Sequence, residues 1–246
     1  MKNYKIIIQY DGTRRNGWQK QGNTQNTIQR ILENALSEIL GETITVNGAG
    51  RTDLGVHAKG QTGNFKTKST LPKEEILIKL SDTLPNDIAV TEITEADERF
   101  HARLNAKEKR YVYRVWNSPV VNVFERKYSC RIKEPLDVEK MRAAASLLVG
   151  THDFRGYSSL GKRFKKSTVR TITSLDIKVN GNEIDFCFSG DGFLYNMVRI
   201  ITGTLIEVGE GKRKPESVEI PLESLNRADA GVLMPPHGLC LEEVLY

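Results

Sequence analysis

The segment Gly48–Ala58, GAGRTDLGVHA, is where residue type and spacing bear most directly on chemistry. One acid, Asp53, and one base, Arg51, stand among the glycines at 48, 50 and 55. Glycine supplies backbone angles that other residues avoid and lets a ligand come close to the main chain. The loop is not a phosphate cradle: no Gly-Lys-Ser/Thr closes it, and no dinucleotide fingerprint fits. An ionised carboxylate held there can stabilise positive charge or form a covalent adduct. A surface turn carrying a local Arg51–Asp53 ion pair accounts for the same residues without any chemistry.

Other side chains narrow the classes of function. Thirty-six Lys and Arg against thirty-one Asp and Glu leave a net charge of +5, a moderate excess whose placement matters more than its size. The stretch from Arg99 to Arg114 carries Arg99, Arg103, Lys107, Lys109, Arg110 and Arg114 with only Glu108 opposed, interleaved with Phe100, Tyr111 and Tyr113. Lys162, Arg163, Lys165, Lys166 and Arg170 form a second run without an acid. Cations meet phosphates and rings stack on unpaired bases, so this interleaving suits nucleic acid. Either run alone reads better as a solvated face. Cys130, Cys187 and Cys240 are far apart and odd in number, which argues against a zinc site and a disulfide framework. His57, His101, His152 and His237 lack metal-ligand spacing, and none is assigned a catalytic role. The apolar run in MKNYKIIIQYDG is too short for a signal peptide, and no stretch suits a membrane span. The expectation is a soluble, cytoplasmic protein.

Five segments, in order, carry a family resemblance. GRTDLGVHA resembles the active-site motif GRTDxGVHA of the tRNA pseudouridine synthase A family. YDGTRRNGWQ is similar to its YDGxxxxGWQ, and FHARLNAKEKRYVY to FxARxxAxxRxYxY. GFLYNMVRIITGTLIEVG resembles the FxxxMVRxxxGxLxxVG helix, and PPHGLCLEEVLY the terminal strand. The resemblance implies an isomerase that converts uridine to pseudouridine in tRNA, at positions 38, 39 and 40 of the anticodon stem-loop. It implies Asp53 as nucleophile, Arg199 as its ion-pair partner, and Tyr111 as the ring that packs on the target uracil and accepts its proton. It further implies a homodimer, tRNA as partner, and neither cofactor nor metal. Arg51 is expected to hold the flipped nucleotide, and Arg14, Arg103 and Arg110 to contact RNA. Leu54 stands where the family often has a small residue, adding bulk beside Asp53.

The proposed chemistry suits a lone carboxylate. Detaching uracil from ribose builds oxocarbenium-like charge on the sugar. Glycosidases commonly use a second carboxylate to activate water, whereas an isomerase must exclude water. A nucleoside hydrolase therefore fits the residues less well. A non-catalytic RNA-binding module explains the basic runs but not the set Arg51, Asp53, Tyr111 and Arg199.

Periodicity supplies the elements that must position these groups. Strands are predicted at Lys5–Tyr10, Glu42–Asn47, Gln61–Lys66 and Ile88–Ile93, with helices over Ile28–Ile39 and Pro72–Leu80. The second half repeats the cadence: strand Tyr111–Trp116, a helix from Val138 to Val149 capped by Asp137, and strands at Ser174–Val179 and Glu183–Ser189. A helix from Leu194 to Val208 and a strand at Leu239–Val244 follow. This order predicts an α+β chain of two ferredoxin-like, split β-α-β domains. Their antiparallel sheets would join into one extended mixed sheet, with helices on one face and an RNA cleft between domains. The expected division is 1–104, carrying the Asp53 loop, and 105–246, carrying Tyr111 and the MVR helix.

Overall fold

A computed structural model describes residues 1–161 and 163–246; Lys162, part of the second basic run, lies outside the described residues. The elements in chain order are β1 (Lys2–Tyr10), α1 (Ile28–Leu40), β2 (Asn47–Gly48), β3 (His57–Thr67), α2 (Lys73–Thr83), β4 (Ile88–Ala96), β5 (Glu108–Asn117), β6 (Cys130–Ile132), α3 (Val138–Ser146), β7 (Gly150–Asp153), β8 (Val169–Asn180), β9 (Glu183–Gly190), α4 (Met197–Gly209), α5 (Ile220–Ser224) and β10 (Leu239–Leu245). The chain is mixed α+β. It divides into two compact units, Met1–Lys107 with Cys240–Tyr246, and Glu108–Leu239.

In the first unit the strand order is β4-β1-β3-β10, with β2 also on β3. The β1–β3 and β1–β4 pairs are antiparallel, while β10 runs parallel to β3 at Cys240–His57 and Leu241–Ala58. Tyr4, Ile6, Ile8 and Tyr10 alternate along β1 and are buried, as a strand with one covered face requires. Ile28, Leu32, Ala35 and Leu36 form the buried stripe of α1. Gly41 ends that helix at φ 67°, a left-handed conformation that suits glycine.

The expected strand Glu42–Asn47 shrinks to Asn47–Gly48. Its alternating Ile44 and Val46 are buried, but their N–H groups are claimed by α1 instead of a ladder. Ile44 donates to Ser37 Oγ at 2.9 Å, and Val46 to Glu33 Oε1 at 3.1 Å. An extended segment fastened to a helix leaves the same period-two imprint as a strand.

In the second unit β5-β9-β8-β7 are neighbours, with β6 parallel to β5 and the other pairs antiparallel. Asp137 caps α3 by accepting from Lys140 N at 3.1 Å. This helix ends at Ser146, not Val149: the N–H groups of Leu147, Leu148 and Val149 bond three residues back, to Ala144, Ala145 and Ser146, where an α-helix bonds four back. The helix α4 is buried almost all round. Gly203 lets Val232 approach its backbone, since a Cβ there would lie 2.0 Å from the Val232 oxygen. The short elements β6, β7 and α5 carry too few residues for a period to stand out.

Candidate active site

The loop between β2 and β3 is held from every side by its own unit. Ala49 N donates to Thr62 O at 2.8 Å, and Gln61 Nε2 to Gly50 O at 3.1 Å. The Thr52 hydroxyl meets the Tyr10 phenol at 2.8 Å, and Thr52 O accepts from Trp18 N at 3.0 Å. Burial keeps the Tyr10 phenol protonated well above its ordinary range. Val56 N donates to Asp53 O at 3.1 Å across Leu54 and Gly55, and Gly55 stands at φ 80°. Residues 53–56 thus have the form of a type II turn, whose third position needs a positive φ. Gly55 of GRTDLGVHA is a turn requirement.

Two further glycines let the segment after β1 lie against this turn. A Cβ on Gly12 would stand 2.0 Å from Val56 O, and one on Gly17 2.7 Å from Thr52 O. Thr52 points inward, Asp53 is half-buried, and Arg51 and Leu54 are exposed. His57 is buried and accepts from Gly12 N through Nδ1 at 3.1 Å, a structural use of the ring.

The basic residues of this unit separate by environment. Arg15 pairs with Asp87 and donates to Asn26 Oδ1 at 2.7 Å, so it braces the fold; Arg14 beside it is exposed. Arg103 is exposed too, but at the far end of β3. Ala102 N next to it donates to Asn64 Oδ1 at 2.9 Å. From His57 to Asn64 the strand advances seven residues, or roughly 23 Å at about 3.3 Å per residue. Within this unit the structure brings Arg51 and Asp53 onto one loop and sets Arg103 apart.

The second unit carries Tyr111, Arg110 and Arg199. Arg199 lies in the first turn of α4 and is buried. Its Nε donates to Met234 O at 2.7 Å and its Nη1 to Asn196 Oδ1 at 2.9 Å. Asn196 itself sits at φ 63° and donates to Ser159 Oγ at 3.0 Å. A guanidinium clamped this way is a fixed cation that loses little entropy in meeting an anion. His237 is held below its ordinary pKa first by burial, with Arg199 adding repulsion.

Tyr111 and Tyr113 share the buried face of β5. The Tyr111 ring meets Phe193 edge-on, centroids 5.3 Å apart at 82°. Tyr113 is fully buried, donates to Pro235 O at 2.8 Å, and has its phenol pushed well above the ordinary range by burial. Arg110 is exposed and donates to Glu108 at 2.9 Å. After Phe193, Leu194 and Met197 are buried, whereas Tyr195 between them is exposed. The residues that sequence reasoning passed over are the supports Gly17, Trp18, Thr52 and Asn196. The first two lie within the YDGTRRNGWQ motif, which was the available signal; nothing local marks Asn196 as left-handed.

The sequence model of the family described as tRNA pseudouridine synthase matches residues 6–105 and 144–246. The chain belongs to the tRNA pseudouridine synthase family. It is 48% identical over 246 residues to tRNA pseudouridine synthase A of Bacillus sp. (strain KSM-64), covering all of both chains. Relatives named tRNA pseudouridine synthase A 2 from Bacillus cereus (strain ATCC 14579) and Clostridium perfringens (strain 13 / Type A) are each 45% identical, also over the full length of both chains. A solved Cbf5-Nop10-Gar1 complex aligns over 72% of this chain and 40% of that chain at 11% identity, with a TM-score of 0.36, too low to bear on the fold. The five segments that carry the resemblance stand in a chain that matches these relatives over its whole length. Among the described residues no helix is long and apolar enough to cross a membrane.

Proposed function

We propose that this chain, by family an isomerase of uridine in tRNA, acts on the anticodon stem-loop at positions 38, 39 and 40. Asp53 is its nucleophile. The observation that carries this reading is the GRTDLGVHA loop, intact in a full-length family match and clamped around a half-buried carboxylate.

In the proposed reaction the Asp53 carboxylate attacks ribose C1′ as its bond to uracil N1 breaks, which relieves the positive charge that grows on the sugar. The detached base turns, C5 bonds to C1′ as the Asp53–C1′ bond breaks, the C5 proton leaves, and N1, which left with the bonding pair, takes up a proton, so product and substrate are isomers. Tyr111 packs on the flipped base in place of its lost stacking neighbours and receives the C5 proton. Arg199 is the cation that keeps Asp53 ionised, and Arg51 holds the extruded nucleotide. Arg14, Arg103 and Arg110 contact the RNA backbone, with Arg103 reaching phosphates remote from the target. The chemistry so written calls for no cofactor.

The division of labour puts the nucleophile in the first unit and the stacking ring and cation in the second. The protein works in the cytoplasm as a homodimer. Recognition rests on shape and phosphates, so affinity for tRNA falls as salt rises. Mapping pseudouridine on unmodified tRNA transcripts tests the reading. Product at positions 38 to 40 is expected; product confined to another arm of the tRNA, or free uracil in its place, contradicts it.

A further inference from the structure

Leu54 is not part of the buried core. It occupies the second position of the turn formed by residues 53–56, where a type II turn accepts most residue types. It is 59% exposed. Everything around it is fixed: Thr52 is tied to Tyr10 and Trp18, Val56 is buried, and the Gly17 backbone lies against the turn. A large apolar side chain is therefore presented to solvent from a rigid tip, one residue from the carboxylate.

A uridine paired in a stem must leave the stack before a carboxylate can reach its sugar, and the gap it leaves costs a few kcal/mol. Apolar side chains, leucine among them, serve as wedges between bases elsewhere in nucleic-acid recognition. The backbone of this turn is held in place, so a nucleotide that reaches Asp53 brings its neighbouring bases within one residue of Leu54. We propose that Leu54 fills the space vacated by the flipped uridine and so stabilises the open stem. It is a positioning residue, and the proposal rests on the reading of Asp53 as the group that meets the target nucleotide.

The test compares wild type, Leu54→Ala, Leu54→Met and Ile78→Ala, the last an equally exposed apolar residue of α2 (62%). Each is assayed on an anticodon stem-loop with the target uridine paired, and on the same RNA with the partner base mismatched. Leu54→Ala should lower the single-turnover rate on the paired RNA roughly tenfold, about 1.4 kcal/mol. Its affinity for the RNA should hold, and the loss on the mismatched RNA should fall below about threefold because opening is already paid there. Leu54→Met should recover most of the rate, and Ile78→Ala should match wild type on both RNAs. An equal loss on both RNAs, a change in affinity alone, or no loss overturns the wedge while leaving the isomerase intact. Absence of pseudouridine from either RNA with wild type overturns the functional reading, and the wedge with it.

Discussion

Tyr111 and Tyr113 offer the same phenol to different surroundings. Tyr113 spends its hydroxyl on the Pro235 carbonyl, and Gly238 lies so close to its ring that a Cβ there would come within 2.7 Å. Tyr113→Phe leaves that carbonyl without its donor and should cost about 1–3 kcal/mol of stability, with the chemical rate largely kept. Tyr111→Phe keeps a ring for stacking and removes the proposed proton acceptor. Its single-turnover rate should fall on the order of a hundredfold or more, with tRNA affinity retained. Thermal melts and single-turnover kinetics on both variants separate the roles; the reverse pattern would make Tyr113 the functional ring.

An element can be exact in its backbone and still unreadable in its surroundings. The turn 53–56 is prescribed by its own glycine, but its placement depends on Gly17, a distant residue at φ 81°. Gly17→Ala suffers twice, from the left-handed backbone and from a Cβ pressed onto Thr52 and Asp53. Loss of about 1–3 kcal/mol is expected, together with a fall in activity at temperatures where the protein stays folded. Gly41→Ala is the comparison: its φ is 67° with nothing within 4 Å of the added Cβ, so it should cost about 1–2 kcal/mol and leave activity unchanged. Denaturant melts beside rate measurements decide it, and equal activity losses would dissociate Gly17 from the turn. Where an element is local and long, as in α1 with its stripe and terminal glycine, the sequence predicted it within a residue or so. The segment Glu42–Val46 was misread because its hydrogen bonds go to Ser37 and Glu33, side chains that no periodicity reports.

At the scale of the molecule, long-range pairing was the least legible feature. The terminal strand β10 lies parallel to β3 beside His57 and Ala58, and so belongs with the first unit. Nothing in LCLEEVL indicates that partner, because a strand's own residues encode a face and not a neighbour. The family, in contrast, was legible in five motifs spread along the chain. The basic residues were legible only as a sum: Arg15 proved a brace and Arg14 an exposed cation, and burial made the difference. Binding to tRNA is proposed to spread over many exposed cations and the chemistry is assigned to one carboxylate, so the two should separate. The most direct test measures tRNA affinity and pseudouridine formation for wild type and Asp53→Ala in parallel. The account predicts a folded variant that binds tRNA about as well as wild type and forms no pseudouridine. Pseudouridine formed by the variant at a rate near that of wild type would contradict it.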